Sequence, residues 1–183
     1  NNYGQLGNGT TTDQLTPVKI GFATTWSKVV SSKRHSLAIK TNGTLWAWGY
    51  NGFGQLGTGD TVSLNTPTQV GTATTWSSIN CSAYHSVAIK TNGTMWAWGR
   101  NNNGQLGTGT ITTSPINVPV QIGSSTTWKV ASCSDYHTIA LKSDGTLWAW
   151  GSNEYGVFGN NSFIGSLTPI QIGVETDWKQ IVT

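Results

Sequence analysis

The sequence predicts an all-β chain, a β-propeller of four-stranded antiparallel blades. Three observations predict it. First, spaced motifs return about every 50 residues: Trp26 as Trp76, Trp128 and Trp178, His35 as His85 and His137, and Gly4-Gln5-Leu6-Gly7 at 54–57 and 104–107. Second, each return holds four short strand-like runs and no helical periodicity. Third, only 9% of the residues are charged, against a usual ~25%, while the chain carries ten Trp and 23 Gly.

The unit from Trp26 onward shows the elements in order. Trp26-Ser27-Lys28-Val29-Val30 is a short β-prone run, followed by a polar corner, Ser31-Ser32-Lys33-Arg34. His35-Ser36-Leu37-Ala38-Ile39-Lys40 alternates, which places Leu37 and Ile39 on one face. Asn42-Gly43 then predicts a tight hairpin with positive φ at both residues, repeated as Asn92-Gly93 and replaced by Asp144-Gly145. Leu45-Trp46-Ala47-Trp48-Gly49 returns as the third strand. After a glycine-rich connection, Thr66-Pro67-Thr68-Gln69-Val70 reads as an outer fourth strand, because Pro suits an edge or a strand start. One such blade cannot bury both faces alone, so neighbours must stack on it. Trp46 and Trp48 are large enough to fill the space between blades, with one ring nearer solvent.

The chain reads as one repeat array over 1–183. A partial unit at 1–25 is followed by units at 26–75, 76–127 and 128–177, and by a partial unit at 178–183. Lone strands are expected near 16–20 and 178–182. The array is expected to be an excerpt of a longer one.

The net charge of +3 does not mark a nucleic-acid face, because Lys40, Lys90 and Lys142 recur singly and read as solvated strand edges rather than a cluster. No apolar run is long enough for a membrane helix, so no membrane partner is expected. Cys81 and Cys133 occupy equivalent sites in neighbouring units and read as small buried thiols. His35, His85 and His137 lie on separate units with no acid recurring beside them, which argues against a zinc site. No paired carboxylates and no Ser-His-acid arrangement emerge, and Gly-Gln-Leu-Gly lacks the Lys-Ser/Thr of a phosphate loop. The expectation is a non-enzymatic chain with no catalytic residue, metal or cofactor.

These residues resemble the regulator of chromosome condensation repeat family. The resemblance rests on Gly43-Thr44-Leu45-Trp46-Ala47-Trp48-Gly49, Asn51-Gly52-Phe53-Gly54-Gln55-Leu56-Gly57, Pro67, Trp76-Ser77-Ser78-Ile79 and His85-Ser86-Val87-Ala88-Ile89. It covers essentially the whole chain. It implies a seven-bladed ring when complete, of which this chain holds about half. It also implies that each His hydrogen-bonds within its own blade. An open half-ring exposes the apolar flank of a terminal blade, so the chain is expected either to close a ring by self-association as a homodimer or to be half of a larger protein.

Function is sought where the units differ, since their shared residues build the framework. The corner before each His reads Lys33-Arg34, Ala83-Tyr84 and Asp135-Tyr136, and the residue after each Trp-Gly reads Tyr50, Arg100 and Ser152. Tyr and Arg are favoured at binding hot spots; drift on exposed loops would produce the same divergence. Lys33, Arg34, Tyr50, Tyr84, Arg100, Asp135 and Tyr136 are therefore the candidate binding residues. The leading reading is a scaffold that binds another protein across one propeller face. The alternatives implied by the resemblance are guanine-nucleotide exchange or chromatin association, and a secreted inhibitor role. Carbohydrate binding through exposed Trp and Tyr is a further alternative. The low-charge Thr/Asn/Gly-rich composition leans toward an extracellular bacterial setting.

Overall fold

The computed structural model describes residues 1–183 and contains twelve strands and no helix. Three four-stranded sheets follow one another along the chain. The first is β1 (Trp26–Ser31), β2 (His35–Lys40), β3 (Leu45–Gly49) and β4 (Leu64–Gln69). The second is β5 (Trp76–Cys81), β6 (His85–Lys90), β7 (Met95–Asn101) and β8 (Thr112–Gln121). The third is β9 (Trp128–Cys133), β10 (His137–Lys142), β11 (Leu147–Gly151) and β12 (Ser166–Ile172). Within each sheet the strands lie in sequence order and pair antiparallel. This is the expected blade.

The hydrophobic core lies between blades. Leu37, Ile39, Leu45, Ala47, Leu56 and Val70 of the first blade pack with Trp76, Ile79, Ala88 and Trp98 of the second. The second junction repeats this with Val87, Ile89, Met95, Ala97, Leu106 and Ile122 against Trp128, Ala131, Cys133, Ala140 and Trp150. Period-two alternation thus sends Leu37 and Ile39 forward and leaves Ala38 on the opposite face, where its small side chain makes room for Trp48. Trp48, Trp98 and Trp150 are buried, whereas Trp46, Trp96 and Trp148 are half-buried. Removing one such buried indole costs about 3–5 kcal/mol.

Hydrogen bonds latch each blade to the next. The main-chain carbonyl of Gln55 accepts the Trp98 indole N–H at 2.8 Å and the Ser86 hydroxyl at 2.7 Å. Gln5 does the same for Trp48 and Ser36, and Gln105 for Trp150 and Thr138. Gly57 makes the close approach possible. It has φ +75°, and a Cβ there would lie 2.7 Å from the Trp98 Nε1. The outer strand receives the same loop. The β3–β4 register breaks between Ala47 and Gly49, and Pro67, which has no N–H to give, falls in the break. The freed Asn65 carbonyl accepts the Gly9 N–H at 2.8 Å, as Asn117 does for Gly59 and Leu167 for Gly109.

Four expectations are corrected. The hairpin after β2 is a three-residue loop, not a two-residue one. Gly43 N–H donates to Lys40, Lys40 N–H donates to Thr44, and only Gly43 has positive φ. Asn42 serves instead through its side-chain oxygen, which accepts from the Thr44 amide and hydroxyl. The histidines bond across blades as well as within them. His35 meets Ser32 through Nδ1, and its Nε2 lies 2.8 Å from Ser86 of the next blade. Because Ser86 gives its hydroxyl proton to Gln55, His35 is the donor, which fixes the Nε2–H tautomer. His85 repeats this with Thr138 at 2.9 Å.

The lysines Lys40, Lys90 and Lys142 are not merely solvated. Each ammonium lies over a strand-three indole, at 3.5 Å from Trp46, 3.9 Å from Trp96 and 3.7 Å from Trp148. Finally, 16–20 and 178–182 form no strand.

Cys81 and Cys133 are free thiols, and burial pushes Cys81 up to about 12 and raises Cys133 well above the usual range. Burial lowers His35 and His85 to about 3 each, with the neighbouring histidines adding to the effect at His85. Each is a base whose folded pKa lies below its unfolded value of 6.5. Its stabilisation is therefore complete above that pH and is lost as pH falls toward 3. Urea unfolding between pH 7 and pH 5 should show a loss of about 2 kcal/mol per histidine; a flat profile would contradict the buried neutral pair. Gly57→Ala should destabilise more than Gly59→Ala. Both sites have positive φ, a cost of about 1–2 kcal/mol for Ala, but only position 57 adds the collision with Trp98, worth about a further 1–3 kcal/mol. Equal melting temperatures would refute the close-approach account.

Candidate functional site

The up-and-down order of each blade puts the β1–β2 corner and the β3–β4 connection at the same end. Both groups of divergent positions lie there, and backbone bonds set them side by side. Tyr50 N–H donates to the Arg34 carbonyl at 2.9 Å, Arg100 to Tyr84 at 3.0 Å and Ser152 to Tyr136 at 2.9 Å. The corner itself is fixed by Ser32, Ser82 and Ser134, whose amides donate to the carbonyls of His35, His85 and His137. The hydroxyl of Ser32 also accepts from the Arg34 and His35 amides, and that of Ser82 from the Tyr84 and His85 amides.

Five of the seven candidates gather into one ribbon. Tyr3 and Tyr50 lie 4.8 Å apart, Tyr50 and Phe53 6.0 Å, Phe53 and Tyr84 5.5 Å, and Tyr84 and Tyr136 6.1 Å. Two guanidinium groups are set among these rings. Arg34 lies 5.8, 5.3 and 4.9 Å from the centroids of Tyr3, Tyr50 and Tyr84. Arg100 lies 5.3, 5.0 and 5.9 Å from Phe53, Tyr84 and Tyr136. Tyr84 is the shared centre. Both arginines are half-buried, and Tyr136 is exposed. A cavity of about 360 Å³ adjoins Tyr136, lined also by His137, Ser152 and Glu154.

Lys33 and Asp135 stand apart. Lys33 is exposed, and its part in the structure is its carbonyl, which accepts the Gln5 side chain at 3.3 Å. Asp135 braces two blades: its carboxylate accepts the Ala83 N–H at 3.1 Å. Tyr3 and Phe53 are members of the ribbon that the sequence reading missed. They occupy the position before Gly-Gln-Leu-Gly, which varies as Tyr3, Phe53, Asn103 and Tyr155, and comparing that column would have found them. Their backbones are held by the same glutamines that latch the blades, with Gln5 Oε1 accepting from Tyr3 N–H and Gln55 Oε1 from Phe53 N–H.

No three His, Cys, Asp or Glu side chains are gathered as a metal site would need, and no helix is long and apolar enough to cross a membrane. The arrangement offers cations, tyrosine hydroxyls and aromatic surface: equipment for recognition.

The chain is similar in structure to human WBSCR16, at 22% identity over 93% of this chain and 45% of that one, with a TM-score of 0.78. It is similar to Prp20p from Saccharomyces cerevisiae, described with its binding properties to Gsp1p and histones, at 19% identity over 93% and 44%, with a TM-score of 0.80. A second yeast structure, of Prp20 with Kap60 bound, matches at 20% identity over 81% and 37%, with a TM-score of 0.73. The chain thus spans less than half the length of these proteins. Likenesses this distant carry the propeller fold.

The bracing role of Asp135 separates it from Lys33 in a stability measurement. Asp135→Ala should cost about 1–2 kcal/mol by leaving the Ala83 amide unpaired, and Lys33→Ala should stay within about 0.5 kcal/mol. Equal effects would return Asp135 to the group of free surface residues.

The regulator of chromosome condensation (RCC1) repeat matches residues 1–39, 42–89, 92–141 and 144–183. Each middle match takes the last two strands of one blade and the first two of the next, so the sequence repeat staples neighbouring blades. With these four consecutive repeats across three four-stranded blades, the chain belongs to the RCC1 repeat family.

Proposed function

We propose that this chain is a non-enzymatic scaffold that binds another protein across the propeller face carrying the ribbon. One observation carries the reading. The side chains at positions where the repeats diverge are not scattered: Arg34, Tyr50, Tyr84, Arg100 and Tyr136 are in mutual contact on one face. Neutral drift gives no reason for arginines on adjacent blades to share one tyrosine. Tyrosine and arginine supply contact area at little cost in side-chain entropy, because rings and guanidinium already hold one another. The yeast relatives' descriptions name protein partners, which agrees with the reading.

The test uses the two ends of the blades. The partner captured by the purified chain should be lost at least fivefold on Tyr84→Ala or Arg100→Ala. It should be retained on Thr41→Glu and Thr91→Glu, which sit in exposed turns at the opposite end. Capture that is indifferent to Tyr84 and Arg100, or that depends equally on both ends, would overturn the assignment of the face.

A further inference from the structure

The two ribbon arginines form no ion pair. The only ion pair in the chain joins the Asn1 amino group to Asp13 and leaves both guanidinium groups unpaired. Neither guanidinium donates a hydrogen bond to a protein acceptor. Each guanidinium lies among aromatic rings, which take none of its in-plane N–H hydrogen bonds. A half-buried cation with unpaired N–H donors is matched best by a carboxylate, which takes two parallel hydrogen bonds in the plane. The hydroxyls of Tyr3, Tyr50, Tyr84 and Tyr136 also have no protein partner, so hydrogen-bonding groups for a peptide backbone line the same strip.

Spacing narrows the ligand further. Arg34 and Arg100 lie 4.9 and 5.0 Å from the Tyr84 centroid, so their guanidinium carbons are at most about 9.9 Å apart. In an extended peptide, side chains two residues apart project to the same side at about 6.6–6.8 Å. Carboxylates reaching outward from those positions span such a pair of forks. We propose that the ribbon recognises an extended acidic segment of a protein partner, with carboxylates at alternate positions, one on Arg34 and one on Arg100. This rests on the scaffold reading above and adds its chemistry.

Single-stranded nucleic acid fits less well. Stacking needs free aromatic faces, whereas Tyr84 is already met by both guanidiniums, Phe53 and Tyr136. Two cations also fall short of the continuous basic stripe that a phosphate backbone requires.

The test is fluorescence anisotropy with labelled peptides of Gly and Ser carrying two Glu at alternate positions, two adjacent Glu, or two Gln. The alternate-Glu peptide should bind, and the Gln peptide should bind at least tenfold more weakly, with the adjacent-Glu peptide in between. Arg34→Gln and Arg100→Gln should each cost at least tenfold. Arg34→Lys and Arg100→Lys, which keep the charge but lose the fork, should each cost at least threefold. Near-ultraviolet circular dichroism checks that each variant keeps its tryptophan packing. Equal binding of Glu and Gln peptides, no binding up to about 1 mM, insensitivity to both Arg→Gln changes, or arginine-dependent binding of oligothymidine tighter than the peptide would each overturn the proposal. Peptide failure with partner capture still dependent on Tyr84 removes the acidic specificity alone. Failure of both removes the scaffold reading as well.

Discussion

The rest of the structure depends on one main-chain oxygen per repeat. The carbonyls of Gln5, Gln55 and Gln105 each accept two hydrogen bonds from the following blade, one from an indole and one from a hydroxyl. In a dry junction such a carbonyl is costly to leave unpaired, so blades are held at one separation and one rotation. The glycine two residues later permits the approach, Leu56 and Leu106 fill the core beneath, and the Gln side chain fixes the loop and the next corner. The neutral histidine extends the same network to the neighbouring hydroxyl, which explains why its burial without charge is tolerated.

That latch also determines where variation can be used. Gln55 holds Phe53 by its amide and the second blade's corner by the Ala83 carbonyl, so it sets the ring of Phe53 beside Tyr84. The framework thus delivers divergent side chains from three blades to one strip. The ribbon is assembled by residues that individually look dispensable, on loops tied to one another by backbone hydrogen bonds.

The two ends of the array show the latch half-made. Ser36 gives its proton to Gln5 but receives no histidine N–H, and Trp26 and Val29 border an open cavity of about 310 Å³. At the other end Trp178 is 43% exposed, whereas Trp76 and Trp128 at the equivalent position are each 5% exposed. The difference comes from the neighbour rather than from the residue.

The sequence by itself determined the blade. Its period, its Trp, His and Gly-Gln-Leu-Gly spacings and its alternating runs are local or repeated signals, and they prescribed four strands, their order and the glycine positions. It also pointed to the divergent loop columns, because a repeat supplies its own internal comparison. Only the tertiary structure decided which of those columns meet. The contacts of Arg34 with Tyr84, and of Arg100 with Phe53 and Tyr136, cross from one blade to another and depend on the angle between blades. The same cause hid the His35–Ser86 bond and the bracing by Asp135. A periodic sequence states which residues are equivalent. Which residues touch is set by how one copy of the unit is rotated onto the next, and that rotation has no linear signature.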